Sequence, residues 1–155
     1  MRKVLSVFVL LILAQIAVAQ TKSSDVAVVT NRATPVSELS LAEVRKIFLG
    51  ERQYWNTSMP VVVLVRAPVA REREVVLKNI YQMTENQFKQ YWVAKIFRSE
   101  AVSAPKIVYS SDMTMQLLSA IPGSIAFMQA KDVGPGVKVL KVDGLLPGEA
   151  GYKLH

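Results

Sequence analysis

The sequence predicts an α/β layered sandwich, a mainly parallel or mixed sheet flanked by helices. Three observations predict it. Short β-branched runs, such as Val61-Val62-Val63-Leu64-Val65 and Ile125-Ala126-Phe127-Met128, have the length and composition of strands buried on both faces. Between them lie charged or amphipathic segments with helix-start signals, two of which are complete capping boxes. Gly, Pro, Asn and Ser cluster at the junctions. Strands alternating with helices in this way build a layered sheet.

The chain of 155 residues opens on Arg2-Lys3, an apolar run over residues 4–16, and Ala17-Val18-Ala19 before Gln20. A short basic region, a brief apolar core and small residues at that spacing describe a secretory signal peptide cleaved after Ala19, with an uncleaved membrane anchor as the other reading. Residues 20–155 are then expected as a single exported domain. Lys and Arg number 19 against 12 Asp and Glu, and 17 against 12 once Arg2 and Lys3 are set aside. That excess favours anionic small molecules or acidic surfaces, but it is scattered among acids, which argues against nucleic acid. There is no cysteine, and the one histidine is His155. Disulfides, thiolate metal sites, cysteine nucleophiles and histidine dyads are therefore not expected, nor is a cofactor, and no paired carboxylates stand at a catalytic spacing. The chain reads as a binding protein rather than an enzyme.

Residues 25–30 read as the first buried strand, followed by a loop ending at Pro35. Ser40-Leu41-Ala42-Glu43 is a capping box with Leu39 and Val44 as its staple, so a helix starts at Leu41 and stops at Gly50. Trp55, in the polar loop that follows, is expected to cover the core. The run at 61–65 is the central strand, and a helix begins after it near Ala70 or Arg71. Thr84 and Gln87 form the second capping box. The helix it starts carries Phe88, Trp92 and Ile96 on one face, with Tyr91 beside them, and that face is expected in the core. Residues 106–109 form a short strand, Ser110-Ser111-Asp112 starts another helix, and residues 124–128 and 137–142 form the last strands. The Gly- and Pro-containing tail, residues 145–155, looks loosely attached.

The strand-loop-helix unit around residues 60–81 directs the functional reading. First-turn N–H groups of a helix carry partial positive charge and point outward at the carboxyl end of the preceding strand. Arg66, Arg71 and Arg73 lie in or beside that turn, so an anion is the first ligand to consider. Ser110 and Ser111 occupy the same place in the second such unit, where a cap serine and an anion-binding serine coincide.

The order of pieces resembles the substrate-binding proteins of phosphate ABC transporters over residues 26–154. The residues that carry the likeness are Val36-Ser37-Glu38-Leu39-Ser40-Leu41 leading to Ile47-Phe48-Leu49-Gly50-Glu51, then Trp55 and the central strand with Arg73-Glu74 opening its helix. Gln90-Tyr91-Trp92 with Phe97, the segment Ile121-Pro122-Gly123-Ser124-Ile125-Ala126-Phe127, Val137-Lys138-Val139-Leu140 and Asp143-Gly144 complete it. The resemblance implies one lobe of a type II periplasmic binding protein, with phosphate or a similar anion held by helix-start N–H groups, hydroxyls and an arginine. Carried over, it places ligand contacts at Ala70, Arg71 and Arg73, at Ser110 and Ser111, and at Thr30 and Asn31. Where the family has a hydroxyl-bearing loop, this chain has Pro68-Val69-Ala70-Arg71. The implied partners are ABC transporter membrane subunits, another periplasmic protein, or a second copy in a homodimer that completes the site. The alternative reading is a protein-interaction or scaffold module that keeps the fold and has lost its ligand.

Overall fold

A computed structural model describes residues 24–155. The signal-peptide reading lies outside the described residues. Strand β1 (Val26–Asn31), buried at every position, opens the fold. After β2 (Glu38–Leu39) comes α1 (Leu41–Phe48), started by the expected box: Ser40 Oγ accepts from Glu43 N while the Glu43 carboxylate accepts from Ser40 N. Gly50 ends it at φ +70°, a conformation that only glycine adopts freely, and a Cβ there would press on the Trp92 ring.

β3 (Val62–Arg66) runs into α2 (Arg71–Val76), which widens at once into a π-helical turn over Leu77–Tyr81. α3 (Glu85–Phe97) starts at the Thr84–Gln87 box. β4 (Lys106–Val108), α4 (Ser111–Ala120), β5 (Ser124–Gln129), a 3₁₀ turn (Ala130–Asp132), β6 (Val137–Val139) and β7 (Lys141–Val142) follow.

Five strands form one sheet in the order β4-β3-β5-β1-β6, and β2 pairs with β7 in a small parallel ladder. The large sheet is mixed. β3 lies parallel to both β4 and β5, whereas β1 runs antiparallel to β5 and β6. An apolar core packs on each face. One contains Val44, Ile47, Phe48, Tyr81, Phe88, Trp92 and Phe127; the other contains Ala27, Leu64, Val108, Leu118 and Met128. In the first, Phe48 lies 4.4 Å from Phe127 and Tyr81 4.8 Å from Phe88, ring centre to ring centre. Trp55 covers this core as expected, its indole N–H donating to the Gly123 carbonyl at 2.8 Å.

Three local expectations need correction. Ile96 does not share the buried face of Phe88 and Trp92; it is 41% exposed, and Phe97 beside it is exposed as well. The last run of strand residues breaks at buried Leu140 into β6 and β7, which join different sheets. The tail is not loose: Leu154 is fully buried and its carbonyl accepts from Val26 N at 2.8 Å, while the Tyr152 hydroxyl donates to the Val26 carbonyl. Gly and Pro shape the tail's turns without detaching it, because its two apolar side chains reach the core.

Candidate functional site

The parallel pairing of β3 and β4 brings two strand-to-helix loops side by side. Arg66 pairs with Val108 at the carboxyl ends of the strands, and Ala67 N donates to the Val108 carbonyl at 2.9 Å. α2 and α4 therefore start at one edge of the sheet. This edge holds Ala70, Arg71, Ser110 and Ser111, four of the seven residues expected to bind.

Each has a defined environment. Ala70 is the N-cap of α2, with the extended backbone of a capping residue but no side chain to accept from the first turn. Arg71 is exposed, and its Nη1 donates to the Ser24 carbonyl. The exposed Ser110 caps α4 by accepting from Met113 N at 3.0 Å. The Ser111 hydroxyl donates to the Asp132 carboxylate at 3.1 Å, which places a negative charge beside the opening of α4. Val69, between the strand end and the cap, has φ +69° and is 96% exposed. A β-branched residue seldom takes that conformation, so the loop holds local strain with an apolar side chain turned to solvent. Tyr109, on the adjacent loop, is 72% exposed.

Arg73 belongs to the same segment but points inward. Only 3% exposed, it makes a two-pronged pair with Glu85, with Nε–Oε1 and Nη2–Oε2 both 2.8 Å. Its Nη1 donates to the Arg66 carbonyl at 3.0 Å, and the guanidinium lies over the Phe88 ring. These donors tie the end of β3 to the start of α3, so Arg73 positions the loop. Its hydrogen bonds, followed by its charge, hold the Glu85 carboxyl below the usual carboxylate range.

Thr30 and Asn31 are not brought to this edge. Thr30 pairs with Ile125 near the start of β5, the end at which Ser124 pairs with Val62 at the start of β3. β1 runs antiparallel, so its carboxyl end lies with the amino ends of β3 and β4, some 13 Å of strand away from the α2 start. Both side chains serve the fold there. Thr30 Oγ1 donates to the Ser124 carbonyl, and Asn31 Nδ2 donates to the carbonyls of Leu118 and Ser119 at the end of α4.

The site also includes two residues that the sequence reading did not single out as a pair. Arg66 stands at the last position of β3, and Glu72 Oε1 lies 3.0 Å from its Nε. Glu72 is 2% exposed, and its Oε2 accepts from Gln129 Nε2 at 3.3 Å. An arginine ending an apolar run was a usable signal, but nothing in a one-dimensional spacing pairs it with Glu72. The edge can bind and orient a small charged group. Among the described residues no cluster of His, Cys, Asp and Glu could hold a metal ion. An open groove of about 240 Å³, lined by Tyr54, Val61, Trp92 and Lys106 among others, lies at the amino ends of β3 and β4, away from these loops.

No protein-family model matches the chain, and no curated protein matches it in sequence. Solved structures do match. One is described as a phosphate ABC transporter substrate-binding protein with bound phosphate, from Clostridium perfringens; the TM-score is 0.63 at 20% identity, over 79% of this chain and 46% of that one. An ABC-type phosphate transport receptor from Vibrio cholerae matches with a TM-score of 0.64 at 18% identity, over 83% of this chain and 53% of the receptor. PstS from Borrelia burgdorferi matches at 0.58 and 14% identity, over 79% and 49%. The likeness is one of fold, the periplasmic-binding-protein fold. The chain spans about half the length of each neighbour.

Proposed function

We propose that this chain is an exported solute-binding lobe that takes phosphate or a similar small oxyanion at the shared edge of β3 and β4, working with ABC-type transport or sensing machinery in the periplasm. One observation carries the reading: two strand-to-helix loops on neighbouring parallel strands converge, in a fold like that of phosphate receptors, on an edge with Arg66, Arg71 and Ser110. In this arrangement the N–H groups that open α2 and α4 supply direction, Arg71 and Arg66 supply charge, and Ser110 and Ser111 supply hydroxyls. Arg73 keeps the loop in place. No helix among the described residues is long and apolar enough to cross a membrane. No chemistry on the ligand is proposed.

The test is the thermal midpoint of residues 20–155 in rising phosphate, with sulfate and chloride at matched ionic strength. A ligand that binds only the folded state stabilises it by about 2.7 kcal/mol at a hundredfold excess over Kd. The expected result is a rise selective for phosphate that Arg71→Ala diminishes while the stability without ligand stays within about 1 kcal/mol of the parent. Equal shifts with every anion, or none, would count against the reading.

A second reading, a protein-interaction module with this fold and no small ligand, draws on a separate observation. Arg66 and Arg73 already face Glu72 and Glu85, and the same edge exposes Val69 and Tyr109. Recovery of a stoichiometric periplasmic partner by a protein that ignores anions would favour it.

A further inference from the structure

Arg66 and Arg73 are a matched pair of comparisons within one segment. Arg73 has all it needs: two parallel bonds to Glu85 and a third to a carbonyl. Arg66 has a carboxylate at the same range without the alignment. Its Nε and Nη1 are closed off from solvent and make no hydrogen bond, although Glu72 Oε1 lies 3.0 Å from Nε. A guanidinium presents its donors as a rigid fork, and a carboxylate reaching it off-axis satisfies the charge but leaves the fork unfilled. Glu72 is itself buried on the first turn of α2, and its remaining contact is the long bond from Gln129. A half-buried guanidinium and a buried carboxylate thus meet by Coulomb attraction with poor hydrogen bonding, on either side of the first of the two loops of the candidate site.

We propose that Glu72 is an internal competitor for the anion: its carboxylate neutralises Arg66 in the empty lobe and holds down the affinity for an incoming oxyanion. The inference rests on the reading of this edge as an anion site. The chain then has a residue that sets how tightly it binds, distinct from those that hold the ligand. An oxyanion arriving at Arg66 meets a guanidinium whose charge is already offset, so it must shift the carboxylate or accept its repulsion. Glu85 does not play this part, because its pairing with Arg73 is geometrically complete.

Glu72→Gln tests the idea, since it keeps shape and hydrogen-bonding capacity and removes the charge. With inorganic phosphate as the probe in isothermal titration, E72Q is expected to bind at least about tenfold tighter than the parent. The gain should appear for sulfate too, because what is removed is a charge. E72Q should also be less stable without anion, as Arg66 keeps two enclosed donors and loses its counter-charge, and should regain the loss as phosphate is added. The double variant Arg66→Gln with Glu72→Gln should lose the gain. If the parent binds phosphate and E72Q binds no tighter, or if the gain survives in the double variant, the proposal is overturned while the anion reading stands. If neither parent nor E72Q binds any oxyanion, both fall. Should E72Q not fold, Glu72→Asp, which withdraws the carboxylate by one methylene, must still bind phosphate more tightly than the parent; no gain in that variant overturns the proposal.

Discussion

At the scale of single residues, carboxylates held by hydrogen-bond donors shape how the protein responds to acid. Glu85 has its carboxyl held below the usual value of 4.5, first by hydrogen bonds from Arg73. Glu43 and Asp143 are lowered in the same direction, chiefly by the backbone N–H groups of Ser40 and Leu41. A group whose folded pKa is depressed contributes stability that is fully present above its unfolded pKa and is lost as pH falls through the folded one. Urea unfolding should therefore show constant stability near neutrality and a decline beginning below about pH 4.5. In Glu85→Gln the stability at pH 7 should drop by about 1–2 kcal/mol, a modest figure because Glu85 is partly open to water, and the acid decline should be shallower. Gly123 is a different kind of single-residue constraint. It has φ +79°, and a Cβ there would collide with the Pro60 carbonyl oxygen where the chain enters β3. Gly123→Ala should cost more than about 2 kcal/mol, measured as a lower urea midpoint, since neither the strain nor a backbone collision can be relieved by rotating a side chain.

At the scale of elements, what could be read in advance depended on how local the cause was. The capping boxes at Ser40 and Thr84 are each settled within four residues, so both helix starts were legible. The start of α2 was legible from charge and propensity alone, for Ala70 supplies no cap hydrogen bond. Ala70 already has the extended backbone of an N-cap, φ −70° and ψ 136°. Ala70→Ser should therefore stabilise the protein by about 1 kcal/mol in urea unfolding. The face of α3 was harder to read. Phe88, Trp92 and Ile96 fall on one helical stripe, but the helix is apolar on more than one side, and packing buried Phe88 and Trp92 with Lys95 and left Val93, Ile96 and Phe97 at the surface. The π turn at Leu77–Tyr81, which closes the helix before left-handed Gln82, has no signature in residue type.

At the scale of the whole molecule, the fold class was legible because alternation of strand and helix is itself a sequence pattern. Strand direction was not. The resemblance puts Thr30 and Asn31 among the ligand residues, at the end of the first strand, and the antiparallel course of β1 carries them to the far end of the sheet. The partners of buried charges were equally hidden, since Glu72 and Glu85 reach their arginines only once α2 is docked across β3. The same strand order has a consequence in time. β1 is seated between β5 and β6, and Val26 receives the Tyr152 hydroxyl from 126 positions further along the chain. Contacts so distant in sequence form late and slowly. With synthesis at about 5–20 residues per second, the first strand waits several seconds for its neighbours to exist. Throughout that interval the first strand has neither β5 nor β6 to pair with, and its apolar side chains have no sheet to be buried in.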